Sequence, residues 1–92
     1  MDKLLNFHIT IHGRVQGVGY RAFALKTARS LGIVGYVKNE ANGTVFIEAE
    51  GGQIALQKFI ATCKIGPGWG FVERVTYTEY PLKRFSGFNI KY

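Results

Sequence analysis

The chain has 92 residues, enough for one domain and too few for two. It is 47% apolar, so it can bury a core, and its single cysteine, Cys63, excludes an internal disulfide and a paired-thiol metal motif. Twelve Lys plus Arg against six Asp plus Glu leave a net charge of +6, which attracts anions from small phosphates to RNA, although the basic residues are spread out rather than massed in a block.

Leu5-Asn6-Phe7-His8-Ile9-Thr10-Ile11-His12 alternates apolar and polar residues, the pattern of a strand with one buried face. Gly13 to Gly19 is glycine-rich and reads as a loop. Tyr20, Phe23, Ala24, Thr27, Ala28 and Leu31 then recur at helical steps, with Gly32 placed to cap the helix. Residues 33–50 read as a β-hairpin, with 33–39 and 44–50 as its arms and Asn42-Gly43 as its turn. Gly51-Gly52 is expected to break the chain. Leu56, Phe59, Ile60 and Cys63 make a second amphipathic helix, closed by Gly66-Pro67-Gly68. Phe71 to Tyr80 reads as a strand ended by Pro81, and Phe88, Ile90 and Tyr92 alternate in a short final strand.

This is the order β-α-β-β-α-β with a small strand added at the end. Its compact solution is an antiparallel four-stranded sheet under two helices, the ferredoxin-like α+β sandwich. Residues 1–92 read as a single domain. No apolar run is long enough to cross a bilayer, and the first residues lack the apolar stretch of a secretory signal, so the expected location is the cytoplasm. The fold alone assigns no activity.

Gly13-Arg14-Val15-Gln16-Gly17-Val18-Gly19-Tyr20-Arg21 joins the first strand to the first helix. Glycines there let backbone N–H groups converge, and a helix N-terminus adds unpaired donors and partial positive charge. Together these make an anion nest. Arg21 in the first helical turn opposes the dipole, a mild cost that a bound anion offsets, and its guanidinium can grip two phosphate oxygens. A glycine-rich turn with a solvated arginine explains the same residues, and spacing alone leaves the two readings even. No Gly-Lys-Ser/Thr follows the loop, and its glycine spacing is not that of a dinucleotide fingerprint.

Ile11 to Arg21 closely resembles the first signature of the acylphosphatase family. Gly35-Tyr36-Val37-Lys38-Asn39, followed by Gly43, Val45 and Gly51, resembles its second signature at the right spacing. The likeness runs from the first strand to the closing Phe88-Asn89-Ile90-Lys91-Tyr92. It implies a small ferredoxin-like enzyme that hydrolyses carboxyl phosphates. By position, the resemblance makes Arg21 the phosphate-binding arginine and Asn39 the water-orienting asparagine. The loop amides that bind substrate would be those of Val15, Gln16, Gly17, Val18, Gly19 and Tyr20. Departures from the family pattern are Tyr20 in place of the usual Phe, Lys91 where Arg is common, and a bulky Trp69-Gly70-Phe71 before the fourth strand.

The chemistry asks little else of the chain. A carboxylate is a good leaving group, so the tasks are to hold the phosphoryl oxygens, stabilise their charge and aim a water in line. Asn39 has an acceptor and donors to hold a water but cannot act as a base. Without the resemblance it reads as a polar cap at a strand end. No metal-ligand motif is present, and neither metal nor cofactor is expected. His8 and His12 are about 13 Å apart along a strand, too far to share a metal, and read as solvated. Cys63 reads as a small core residue, Trp69 as a lid over a helix end, and the aromatics of the last two strands as core. The expected partner is a small acyl phosphate, with phosphate or sulfate able to occupy the loop. No membrane contact is expected, and the chain is read as a monomer.

Two other functions fit the same fold. RNA-recognition domains share the sandwich, but Thr44 to Glu50 carries one aromatic and two acids where such a domain needs an aromatic-rich motif. A non-catalytic acylphosphatase-like domain, of the kind found in larger hydrogenase-maturation proteins, would bind phosphate or carbamoyl phosphate without turnover.

Overall fold

The computed structural model describes residues 2–92, so Met1 lies outside the description. Strand β1 is Leu4–Arg14, followed by α1 (Tyr20–Ser30), β2 (Val34–Asn39), β3 (Val45–Gly52), α2 (Gln53–Ile65), β4 (Phe71–Tyr80) and β5 (Phe88–Lys91). The strands form one sheet in the order β4-β1-β3-β2-β5. β1 to β4 make the expected antiparallel four-stranded sheet. β5 then joins β2 in parallel, so the complete sheet is mixed. β4 and β5 sit on opposite edges, and residues 81–87 must cross between them.

Register explains the core. Ile9 pairs with Ile47, Ile47 with Val37 and Val37 with Ile90, so an apolar row crosses four strands. Ala24 and Ala28 of α1 and Leu56, Phe59, Ile60 and Cys63 of α2 belong to the same buried cluster. Burying each large apolar side chain contributes roughly 1.5–3 kcal/mol. Gly32, at φ 70°, follows the end of α1. Its N–H donates to the Arg29 carbonyl, and that of Ile33 donates to the Ala28 carbonyl at 2.9 Å. This is the Schellman stop expected of a glycine at that position.

Several expectations are corrected. Gly13 and Arg14 belong to β1, not to the loop; a bulge after His12 keeps them paired with Val72 and Phe71. A side chain at Gly13 would strike the Phe71 carbonyl, so the pairing survives only with glycine there. Gly51 and Gly52 do not break the chain but end β3, opposite Leu5 and Leu4. Gly52 gives α2 no side-chain cap, and the Asp2 carboxylate, 3.4 Å from the Ile54 N–H, stands in for one. Trp69 is 84% exposed and forms no lid. Phe88 is core, but Phe71, Tyr77 and Tyr80, on the edge strand β4, stay in contact with solvent, Phe71 the most exposed of the three. His8 is packed rather than solvated: its ring stacks on Tyr80 at 3.7 Å and lies 3.3 Å from Glu48.

The face of the sheet away from the helices holds a polar clasp that sequence periodicity does not reveal. Glu48 and Glu50 are buried, and the Asn6 amide donates to both at 3.1 Å. Glu50 also accepts the backbone N–H groups of Lys83 and Arg84, at 2.7 and 2.8 Å, and so anchors the crossover to β5. Arg84 stands at φ 60°, a left-handed conformation that such an anchor can hold.

Burial alone would raise the pKa of Glu50. The N–H of Lys83, the Asn6 amide and the N–H groups of Arg84 and Phe85 together outweigh it and hold the carboxyl below its ordinary value of 4.5. Glu48 is likewise lowered, since Asn6, His8 and Lys83 outweigh burial. A carboxyl depressed on folding adds stability above its unfolded pKa, and that stability is lost as pH falls through the folded value. The melting temperature should therefore fall steeply below about pH 4. Glu50→Gln should lower it at pH 7 and flatten the acid decline, as thermal unfolding followed from pH 7 to pH 3 will show.

Candidate active site

β1 delivers the chain to residues 15–19, and α1 begins at Tyr20. The two loop glycines, Gly17 and Gly19, have φ of 75° and 81° with open space around them, so backbone conformation rather than crowding requires glycine. Gly19 caps α1 without a side-chain hydrogen bond, and the first turn contains no acid. The N–H groups at the start of α1 thus have no capping side chain, and no acid of the first turn offsets the positive end of the helix.

That helix end borders a cavity of about 200 Å³. Val15, Gly17, Gly19, Tyr20, Arg21 and Ala22 line it from the loop and first turn, Asn39 from the end of β2, and Ile90 and Tyr92 from the last strand and beyond. Arg21 and Asn39, far apart in sequence, thus meet at one opening. Neither side chain has a hydrogen-bond or ion-pair partner among the described residues. The Arg21 guanidinium carbon lies 4.9 Å from the centre of the Tyr92 ring, a cation–π contact that holds the arginine without using its donors.

The other loop positions divide by side chain. Val15 and Tyr20 send theirs into the core, leaving their backbone at the cavity. The Tyr20 hydroxyl donates to the Cys63 carbonyl at 2.8 Å, which satisfies the extra polar atom that tyrosine brings over phenylalanine. Burial pushes the Cys63 thiol up to about 12, so it stays protonated inside the core and is no nucleophile. Val18 packs against the core and does not line the cavity. Gln16 does not line it either; its side chain reaches away to the β2–β3 hairpin.

Ala22, Ile90 and Tyr92 are cavity residues that sequence reasoning missed. The alternation of Phe88, Ile90 and Tyr92 marks a strand but not the edge of the sheet on which it lands. Among the described residues no group of three or more His, Cys, Asp or Glu side chains is placed to hold a metal ion. No helix there is long and apolar enough to cross a membrane.

Comparison with known proteins bears on the family and the fold. The sequence matches the family described as Acylphosphatase over residues 7–90. The acylphosphatase of Archaeoglobus fulgidus is 38% identical over 97% of this chain and 100% of its own length. That of Thermotoga maritima is 43% identical over 91% and 93%. The crystal structure of acylphosphatase from Bacillus subtilis superposes with a TM-score of 0.93 at 39% identity, covering 96% of this chain and 99% of that one. Full-length HypF, in a phosphate- and nucleotide-bound form, also aligns, with a TM-score of 0.87 at 26% identity over 99% of this chain but only 12% of its own. A family model that spans most of the chain, and relatives of that name aligned over nearly their whole length, leave one grouping: the chain belongs to the acylphosphatase family.

Proposed function

We propose that this acylphosphatase hydrolyses the carboxyl–phosphate bond of small acyl phosphates, with Arg21 and the loop amides binding the phosphoryl group and Asn39 orienting the attacking water. The observation that carries this reading is that Arg21, the glycine loop and Asn39 border one cavity. Of the loop amides from Val15 to Tyr20, those of the cavity-lining Val15, Gly17, Gly19 and Tyr20, with the fork of Arg21, hold the non-bridging oxygens and take up their charge. The Asn39 amide holds a water on the side away from the carboxylate. The water oxygen bonds to phosphorus as the phosphorus–carboxylate bond breaks, and a phosphoryl oxygen takes the water's proton. The products are a carboxylate and inorganic phosphate. No step requires a metal or cofactor. We read the chain as a single domain acting as a monomer in the cytoplasm, with phosphate or sulfate able to occupy its loop.

Isotope labelling tests the site of attack. Benzoyl phosphate hydrolysed in ¹⁸O-water should leave the label in inorganic phosphate. Label in benzoate would mean attack at the carbonyl carbon and would sink the arrangement.

A further inference from the structure

We propose that Gln16 is a positioning residue for hydrolysis: its side-chain amide ties the phosphate loop to the β2–β3 hairpin and so sets where Asn39 holds its water. The inference rests on the roles given above to Arg21 and Asn39. Gln16 Nε2 donates to the Glu40 carbonyl at 2.7 Å and to the Thr44 carbonyl at 2.9 Å. These are the carbonyls that close the hairpin turn. The Thr44 carbonyl also accepts the Glu40 N–H at 2.9 Å, and that of Glu40 accepts the Gly43 N–H at 3.1 Å. Each carbonyl has two lone pairs, so each takes one backbone and one side-chain donor. Both N–H donors of the Gln16 amide are used, and a planar group held at two points is fixed in position and tilt.

The location gives this link its importance. Asn39 is the last residue of β2 and immediately precedes Glu40. The β1–β3 ladder ends at the Ile11–Val45 pair, so residues 40–44 lie beyond the cross-links to β1 and are joined by backbone bonds only to each other. Among the described residues Gln16 makes the only side-chain hydrogen bonds from the loop to that tip. The phosphoryl group would be held by one of these segments and its attacking water by the other. A displacement of about 1 Å between reacting groups can cost on the order of a hundredfold in rate. The resemblance to family signatures gives Gln16 only a backbone N–H among the substrate-binding amides, whereas the structure shows a side chain turned away from the cavity and towards the hairpin.

Gln16→Met removes both donors at nearly constant shape. With folding confirmed by thermal unfolding, kcat for benzoyl phosphate should fall roughly tenfold or more, while the inhibition constant for inorganic phosphate changes by less than about twofold. In an Asn39→Ala background the same substitution should alter turnover by less than about twofold, because no asparagine is left to aim. Wild-type kcat in Gln16→Met, equal losses in both backgrounds, or a phosphate constant rising in step with the loss of kcat would each overturn the proposal. If the Asn39→Ala background is too slow to measure, the split between kcat and phosphate inhibition in the single variant decides. Gln16→Asn, which keeps the amide but is one methylene short, carries the same test if Gln16→Met does not fold. Full activity in Asn39→Ala would instead defeat the role given to Asn39, so the two failures are distinguishable.

Discussion

Arg21→Ala should lower kcat/KM at least about a hundredfold, the scale seen when one preorganised charge-stabilising donor is removed. The loss should exceed that from deleting a solvated surface arginine because Arg21 faces a cavity where positive helix-end groups already converge. Stability should change little. Arg21 has no carboxylate partner among the described residues, so its removal leaves no buried charge unpaired. Its one marked contact is with the Tyr92 ring, and a cation at a helix start is mildly unfavourable for the helix. Arg21→Lys keeps the charge but not the planar fork, and should recover only part of the activity. Steady-state kinetics with benzoyl phosphate, beside melting temperatures of the three proteins, checks both halves of the expectation.

Asn39→Ala should reduce kcat by roughly a hundredfold through loss of an aligned water. Inhibition by inorganic phosphate should stay near the wild-type level, because the proposed mechanism gives the phosphate contacts to the loop and Arg21. Asn39→Asp sharpens the test. If the position called for a general base, a carboxylate there would preserve or raise the rate. If it calls for a neutral orienting amide, the carboxylate repels the phosphoryl oxygens and weakens both phosphate binding and turnover. We expect the second pattern, read from kcat and the phosphate inhibition constant of the three proteins.

Local signals in the sequence carried far where one physical requirement dominated. The alternation from Leu5 to His12 specifies a half-buried strand, because a one-residue slip would put Ile9 and Ile11 into water. Gly32 and Gly66 mark helix ends, since both adopt positive φ there. Gly17 and Gly19 mark a loop at a helix start, and both adopt positive φ there, because glycine conformation is a local property.

What depends on distant partners was not legible. Gly51 and Gly52 have the composition of a break, but they pair with the start of β1. Tyr77 and Tyr80 suit a core by residue type, yet the strand that carries them is at an edge. Glu48 and Glu50 look like solvent-facing members of an alternating strand until Asn6 and the 83–84 backbone cover them. Tyr92 and the Gln16 bridge enter the site only once β5 and the hairpin have been placed in three dimensions.

Hydrolysis of benzoyl phosphate in the presence of a chelator, by the wild-type chain, Arg21→Ala and Asn39→Ala side by side, tests the central claim most directly. Rapid turnover by the wild type, undiminished by the chelator and largely lost in both folded variants, is the predicted result. No turnover by the folded wild type, loss of activity on chelation, or full activity in either variant would contradict it.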